Sequence, residues 1–374
     1  MADLQHELHT TPEVGELPDP FPPFAAVPDA GDTPLSDPDA DPLDRAHDLL
    51  AGHPVVDGHN ALPRALRRLS FYDLQLGENA VGTDLPRLRE GHVGALFWSL
   101  HAPTGLATGR ALGATLEQVD LVRSVIRAHP EGLCPAYGAG QVIDARNCGR
   151  VAVVLGPAPA TALDDSLGIL RVLHSLGLRL LALAGTSWAS EAGLTRFGEE
   201  VVREMNRLGV LADLSGASDA TIARTLDISR TPVLCTRSAA RALRPHPDNL
   251  PDELLAALGA AGGLCMVPLA AEQTGPTLGD VADHLDHVRE IAGPGCVGLS
   301  GTHDSGAAHP QDLADAAGYP HLIAELLRRG WPETDITQLT WGNVQRVLRT
   351  ADFAAQTAQQ RREPSTATIT DLDG

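Results

Sequence analysis

The residues best suited to chemistry stand where apolar runs end. Val55-Val56 leads into Asp57-Gly58-His59-Asn60-Ala61. Side chains two apart on a strand share a face, so donors at 59 and 61 would aim at one metal ion. His59 can ligate a metal and Ala61 cannot. His101 follows Phe97-Trp98-Ser99-Leu100, Arg237 follows Leu234-Cys235-Thr236, and Thr302-His303-Asp304 follows Cys296–Ser300. His59, His303 and Asp304 are the candidates for acid or base work, and only one of the adjacent pair 303 and 304 should face a pocket. Arg237, His101 and Thr302 are candidate substrate-binding residues. A permanent guanidinium at 237 would repel a divalent cation, and would bind an anion or pair with Asp213 or Asp304. His284 and His287 are three apart on a helical pattern and lack a third ligand, so they read as a solvated face.

The elements that must position these groups are legible as an alternation. Apolar runs of four to eight residues fall at 54–57, 93–98, 151–156, 179–184, 210–214, 232–236, 263–269 and 296–300. Each is bounded by Gly, Pro or polar turns, as in fully buried parallel strands. Helical stripes lie between them, such as Leu167, Leu170, Leu173 and Leu176 before Gly177, and Val201, Met205 and Leu208 before Gly209. Eight strands with intervening helices predict a TIM (β/α)8 barrel, with an open doubly wound sheet as the alternative. In a barrel the chemistry sits just after each strand, at the C-terminal face.

Composition narrows the function. The 374 residues are 43% hydrophobic, with a formal charge of −20 and no lysine. So acidic a surface repels phosphate backbones, which excludes nucleic acid as the expected partner. The five cysteines show no CxxC or zinc spacing. The first residues lack a basic and apolar leader pattern, and no run reaches membrane-span length, so a reduced, cytoplasmic, non-membrane setting is expected. Residues 1–45 read as a disordered Pro/Asp-rich arm, 46–352 as the barrel, and 353–374 as a flexible tail. Phe21-Pro22-Pro23-Phe24 is a candidate partner motif within the arm.

Several segments in order resemble the membrane dipeptidase (renal dipeptidase) family, the zinc-dependent TIM-barrel hydrolases. VVDGHNALP is similar to that family's DGHNDLP, GHVGALFWS to its GxVGxQFWS, LTRFGEEVVREMNRLGVLADLS to its LTxFGxxVVxEMNRLGxxxDLS, and GNVQRVLR to its closing GxNxLRV. The resemblance runs from about Pro54 to Arg349. It implies a site with two zinc ions, in which His59 and Ala61 stand at the first ligand pair and Ala158 at the bridging glutamate. Thr161 and Gly185 fall on two further histidines, Gly216 and Arg237 on the second zinc's histidines, Thr302 on the active-site aspartate, and Asp248 on the arginine that holds the substrate carboxylate.

Of those metal positions only His59 keeps its donor, and about three protein ligands are needed for a catalytic zinc. We therefore expect no bound metal and a pseudoenzyme that acts as a structural or regulatory partner, as a homodimer or with an active dipeptidase relative. The alternatives are a metal-independent enzyme or small-molecule binder reusing the pocket, and an active metallodipeptidase with atypical ligands.

Overall fold

The computed structural model describes Ser36, residues 39–69, 72–77, 80–100 and 109–374. The arm to Leu35, with its Phe-Pro-Pro-Phe motif, and His101 lie outside them. Eight parallel strands form the frame: β1 (Val55–Asn60), β2 (Val93–Trp98), β3 (Val151–Leu155), β4 (Leu180–Ala182), β5 (Leu211–Asp213), β6 (Leu234–Cys235), β7 (Leu264–Pro268) and β8 (Val297–Ser300). Each coincides with one of the eight apolar runs.

The ring closes. β8 pairs with β1 at Asp57 and Leu299, and β1 pairs with β2, which pairs with β3. The β3 to β4 seam is made by the Leu155 and Leu178 bridge, and by Ala158-Pro159 lying against Leu181-Ala182. From β4 the ladder continues through β5, β6 and β7 to β8. A further strand, Leu133–Ala136, pairs with β3 on the edge away from β2 and was not expected from the sequence.

Apolar side chains fill both sides of the ring. Val56, Ala95, Phe97, Val154, Leu180, Leu234 and Met266 form one buried cluster with Val344, Val347 and Leu348 of the helix Asn343–Arg361. Asn343 donates to the Pro294 and Val297 carbonyls, and Arg346 to those of Gly262 and Gly295, so this helix covers the N-terminal ends of the strands. At full burial each large aliphatic side chain contributes about 1.5–3 kcal/mol, which makes this layered core the main source of stability.

Local chemistry sets the helix limits. Arg196–Leu208 starts where the Thr195 hydroxyl accepts from the Gly198 amide, buries Phe197, Val201 and Met205 on one stripe, and stops at Gly209 with φ 76°. Leu278–Ala292 opens on a reciprocal cap between Thr277 and Asp280.

Two expected boundaries differ. The helix Pro42–Gly52, capped by Asp41, already belongs to the unit that begins at Ser36, ahead of the expected start at 46. The tail expected from 353 instead contains helix to Arg361 and a last turn, Ile369–Asp373. Asp373 Oδ2 accepts from the Thr195 hydroxyl at 2.5 Å and Oδ1 from the Phe197 amide at 3.1 Å, which binds that turn to the start of a barrel helix. Among the described residues no helix is long and apolar enough to cross a membrane.

Candidate functional site

The strand C-termini gather most of the predicted positions. His59 and Ala61 end β1, Ala158 follows β3, Gly185 follows β4, Gly216 follows β5, Arg237 follows β6, and Thr302 follows β8. Backbone bonds lock the first and last of these together: Thr302 N donates to the His59 carbonyl at 2.8 Å, and Ala61 N to the His303 carbonyl at 3.1 Å. His59, Ala61, Ala158 and Thr302 are buried, whereas Thr161, Gly185 and Gly216 are exposed. A crevice of about 230 Å³ opens between the loops after β4 and β5, lined by Gly185, Gly216, Ser190, Glu191 and Ser218.

The loop after β8 is wound tightly. Thr302 and Asp304 both have positive φ, 53° and 63°. That is an uncommon conformation for any side chain bearing a Cβ and an outlier for β-branched threonine. The strain is held by internal bonds. Thr302 Oγ1 donates to the Gly301 carbonyl at 2.6 Å, and Asp304 accepts from the Gly82 amide at 2.8 Å and from the Thr83 hydroxyl. His303 is buried against His309 and Tyr319 and donates from Nε2 to the Leu313 carbonyl at 3.2 Å. Burial pushes its pKa down to about 3, so its ring is neutral. The Thr302 hydroxyl, His303 Nε2 and the Asp304 carboxylate are thus engaged within the fold.

Arg237 departs from expectation. Its amide donates to Ser215 Oγ at 2.9 Å and its carbonyl accepts from Gln273. The predicted partner Asp213 is already bonded by the amides and hydroxyls of Ser215 and Thr236, at 2.7–3.1 Å. Asp304 faces Gly82 and Thr83. Among the described residues Arg237 forms no ion pair, and its Nε is buried without a hydrogen-bond partner. Asp248, the position the resemblance gives to a carboxylate-binding arginine, lies beside Gly216: a Cβ built on that glycine would come 3.6 Å from Oδ1.

Sequence reasoning missed the most perturbed acid. Asp57 is fully buried in β1, and its Oδ1 accepts from the Gly301 amide at 2.6 Å and from the His59 amide at 3.1 Å. Burial raises its pKa to about 7 despite those amides. Its Oδ2 faces the Tyr319 hydroxyl, and these two groups with His303 Nδ1 are buried around Gly301. A Cβ there would stand 2.5 Å, 2.7 Å and 2.4 Å from them. The clue was an acidic residue inside an apolar strand. A second correction concerns His284, expected on a solvated face. It is buried, its Nδ1 accepts from the Ala240 amide, and burial lowers its pKa to about 4, while His287 bonds Asp252.

The donor set can be tested against the two zinc ions that the resemblance implies. Ala61, Ala158 and Gly216 offer no ligand atom, Arg237 offers a cation, and the Thr302 hydroxyl is bonded to its own loop. Among the described residues no three His, Cys, Asp or Glu side chains are grouped to hold a metal. These residues do not fit such a centre.

An eight-stranded parallel barrel with its candidate site residues at the strand C-termini defines the class as a (β/α)8 barrel. Residues 43–362 match the membrane dipeptidase family (peptidase family M19), and the chain belongs to that family. It is 40% identical to mouse Dipeptidase 3 over 324 residues, which is 80% of this chain and 65% of that protein. It therefore spans about 65% of the length of that relative. Dipeptidase verJ of Clonostachys rogersoniana is 32% identical, covering 86% of this chain and 90% of its own. Among solved structures, the Rhodobacter sphaeroides metallopeptidase with a phosphinate mimic of L-Ala-D-Ala superposes with a TM-score of 0.74 at 25% identity, covering 80% of this chain and 99% of its own. The M19 metallopeptidase dipeptidase AC gives 0.74 at 26%, covering 80% and 98%.

Proposed function

We propose that this chain is a membrane-dipeptidase-family barrel that has lost zinc-dependent dipeptide hydrolysis and serves as a structural or regulatory partner, as a homodimer or with an active relative. The observation that carries the reading is Arg237: an unpaired guanidinium at the end of β6, where the resemblance asks for a zinc ligand. A fixed cation there raises the free energy of any divalent ion nearby, since two like charges a few ångströms apart in a partly buried site repel by several kcal/mol. The loop after β8 supports it, because the Thr302 hydroxyl, His303 Nε2 and the Asp304 carboxylate are bonded within the fold.

The binder alternative requires Arg237, His59, His101 and the 302–304 loop to converge on one ligand; His101 lies outside the described residues, and the bonds described above direct the loop's groups elsewhere. It keeps one supporting observation, the crevice between Gly185 and Gly216. Active hydrolysis with atypical ligands is what the relatives' names favour. Metal analysis of the purified chain, with a dipeptide hydrolysis assay in added zinc, separates the readings. Two zinc ions per chain or zinc-dependent turnover overturns ours; metal-free, inactive protein that co-purifies with an active dipeptidase supports it, and strict self-association with no partner counts against it.

A further inference from the structure

At the opposite end of the barrel, a cavity of about 400 Å³ lies between the C-terminal turns of the helix Arg196–Leu208, the segment before β6, and the helix Asn343–Arg361. Arg203, Arg207, Arg230 and Arg362 line it, with Asn206, against one carboxylate, Asp227. On a chain of formal charge −20 this is a local inversion of sign. We infer that this cavity binds a small phosphate-bearing anion, at a site independent of the barrel mouth.

Carboxylates outside the lining hold three of the guanidiniums in place. Arg207 gives Nε and Nη2 to Glu204, both at 2.8 Å, which leaves Nη1 uncommitted. Glu200 accepts from Arg362 and from Arg203 at 3.4 Å, and Glu199 accepts from Arg203 at 2.6 Å. These pairs are shared, since Glu204 also serves Arg171 and Glu199 also serves Arg224, so the arginines are oriented without each being fully neutralised.

Arg230 differs. Its amide donates to Asn206 Oδ1 at 2.6 Å, and among the described residues its guanidinium has no ion pair. It stands exposed at the cavity rim.

The arrangement favours phosphate over carboxylate. Guanidiniums converge from three separate segments, and a phosphate presents three terminal oxygens in different directions to them, whereas a carboxylate presents two in one plane. The volume suits a phosphate ester of modest size rather than a polymer.

The test is isothermal titration calorimetry of the full chain with inorganic pyrophosphate, at constant ionic strength because the attraction is screened by salt. Binding that weakens about tenfold or more in Arg230→Ala, the loss of one charge-assisted contact, is the expected result. Arg230→Lys should fall between the two, and Asp227→Asn should tighten binding. Arg230 has no ion pair to lose, so Arg230→Ala should unfold like the parent. No heat at millimolar pyrophosphate, equal binding in Arg230→Ala, loss of binding in Arg237→Ala instead, or citrate binding as tightly as pyrophosphate would each overturn the inference.

Discussion

Gly216 and Asp248 share one space at the barrel mouth: the carboxylate Oδ1 lies 3.6 Å from where the glycine's Cβ would be, and Gly216 itself has φ 73°. An exposed loop residue with a positive φ is held there by the turn, and any side chain must accept the left-handed conformation. Gly216→Ala should therefore lower stability by about 1 kcal/mol, read from urea denaturation. An unchanged midpoint would mean that the loop re-forms with negative φ.

Arg237→Met should be neutral or stabilising by about 1 kcal/mol. Removing a buried donor that has no partner relieves its desolvation cost, and methionine keeps much of the volume. A loss above about 2 kcal/mol would reveal a carboxylate partner for Arg237 in solution.

Asp57 and His303 should give opposing pH dependences. The Asp57 pKa is raised from 3.8 to about 7, so the folded state holds a proton that the unfolded chain releases, and stability from this group falls as pH rises from 4 to 7. His303 is lowered from 6.5 to about 3, so its contribution rises with pH over 3 to 6.5. The two offset each other between about pH 4 and 6.5. Relative to the parent, Asp57→Asn should gain stability with pH in that window, and His303→Phe should lose it, each by up to about 1.4 kcal/mol per pH unit. Parallel stability–pH curves for parent and variants would contradict both shifts.

Gly301→Ala should be costly without involving positive φ. Its Cβ would meet His303 Nδ1, Asp57 Oδ2 and Tyr319 Oη all within 2.7 Å, and overpacking of this kind costs about 1–3 kcal/mol. A variant as stable as the parent would mean that these three groups can part easily.

Much of this fold was legible because buried parallel strands are continuous apolar runs, and all eight of the barrel strands lie on one. Helices with weak stripes were not. Arg110–Ala128 turns Thr115 and Gln118 inward beside Val119 and Val122, and Ala139–Asn147 buries only two alanines and a valine, so neither has a clear apolar period. Pro42–Gly52 was hidden by the Pro- and Asp-rich residues around it. At the mouth, strand ends located His59, Arg237 and Thr302. Partners could not be read in the same way. Asp213 is saturated by Ser215 and Thr236, and Asp57 meets Tyr319 from 262 positions away, and such pairings are decided by packing rather than spacing. The four-arginine cavity likewise draws on three segments that the sequence keeps apart.

The bonds from Thr195 and Phe197 to Asp373 set an order of events as the polypeptide is made. Thr195 and Asp373 are 178 residues apart, so the helix beginning at Arg196 must form its first turn during synthesis without that carboxylate. At translation speeds of about 5–20 residues per second, the wait is on the order of ten seconds or more. In that interval, among the described residues, the Thr195 hydroxyl bond to Gly198 is the side-chain contact that guards the amides of the first turn.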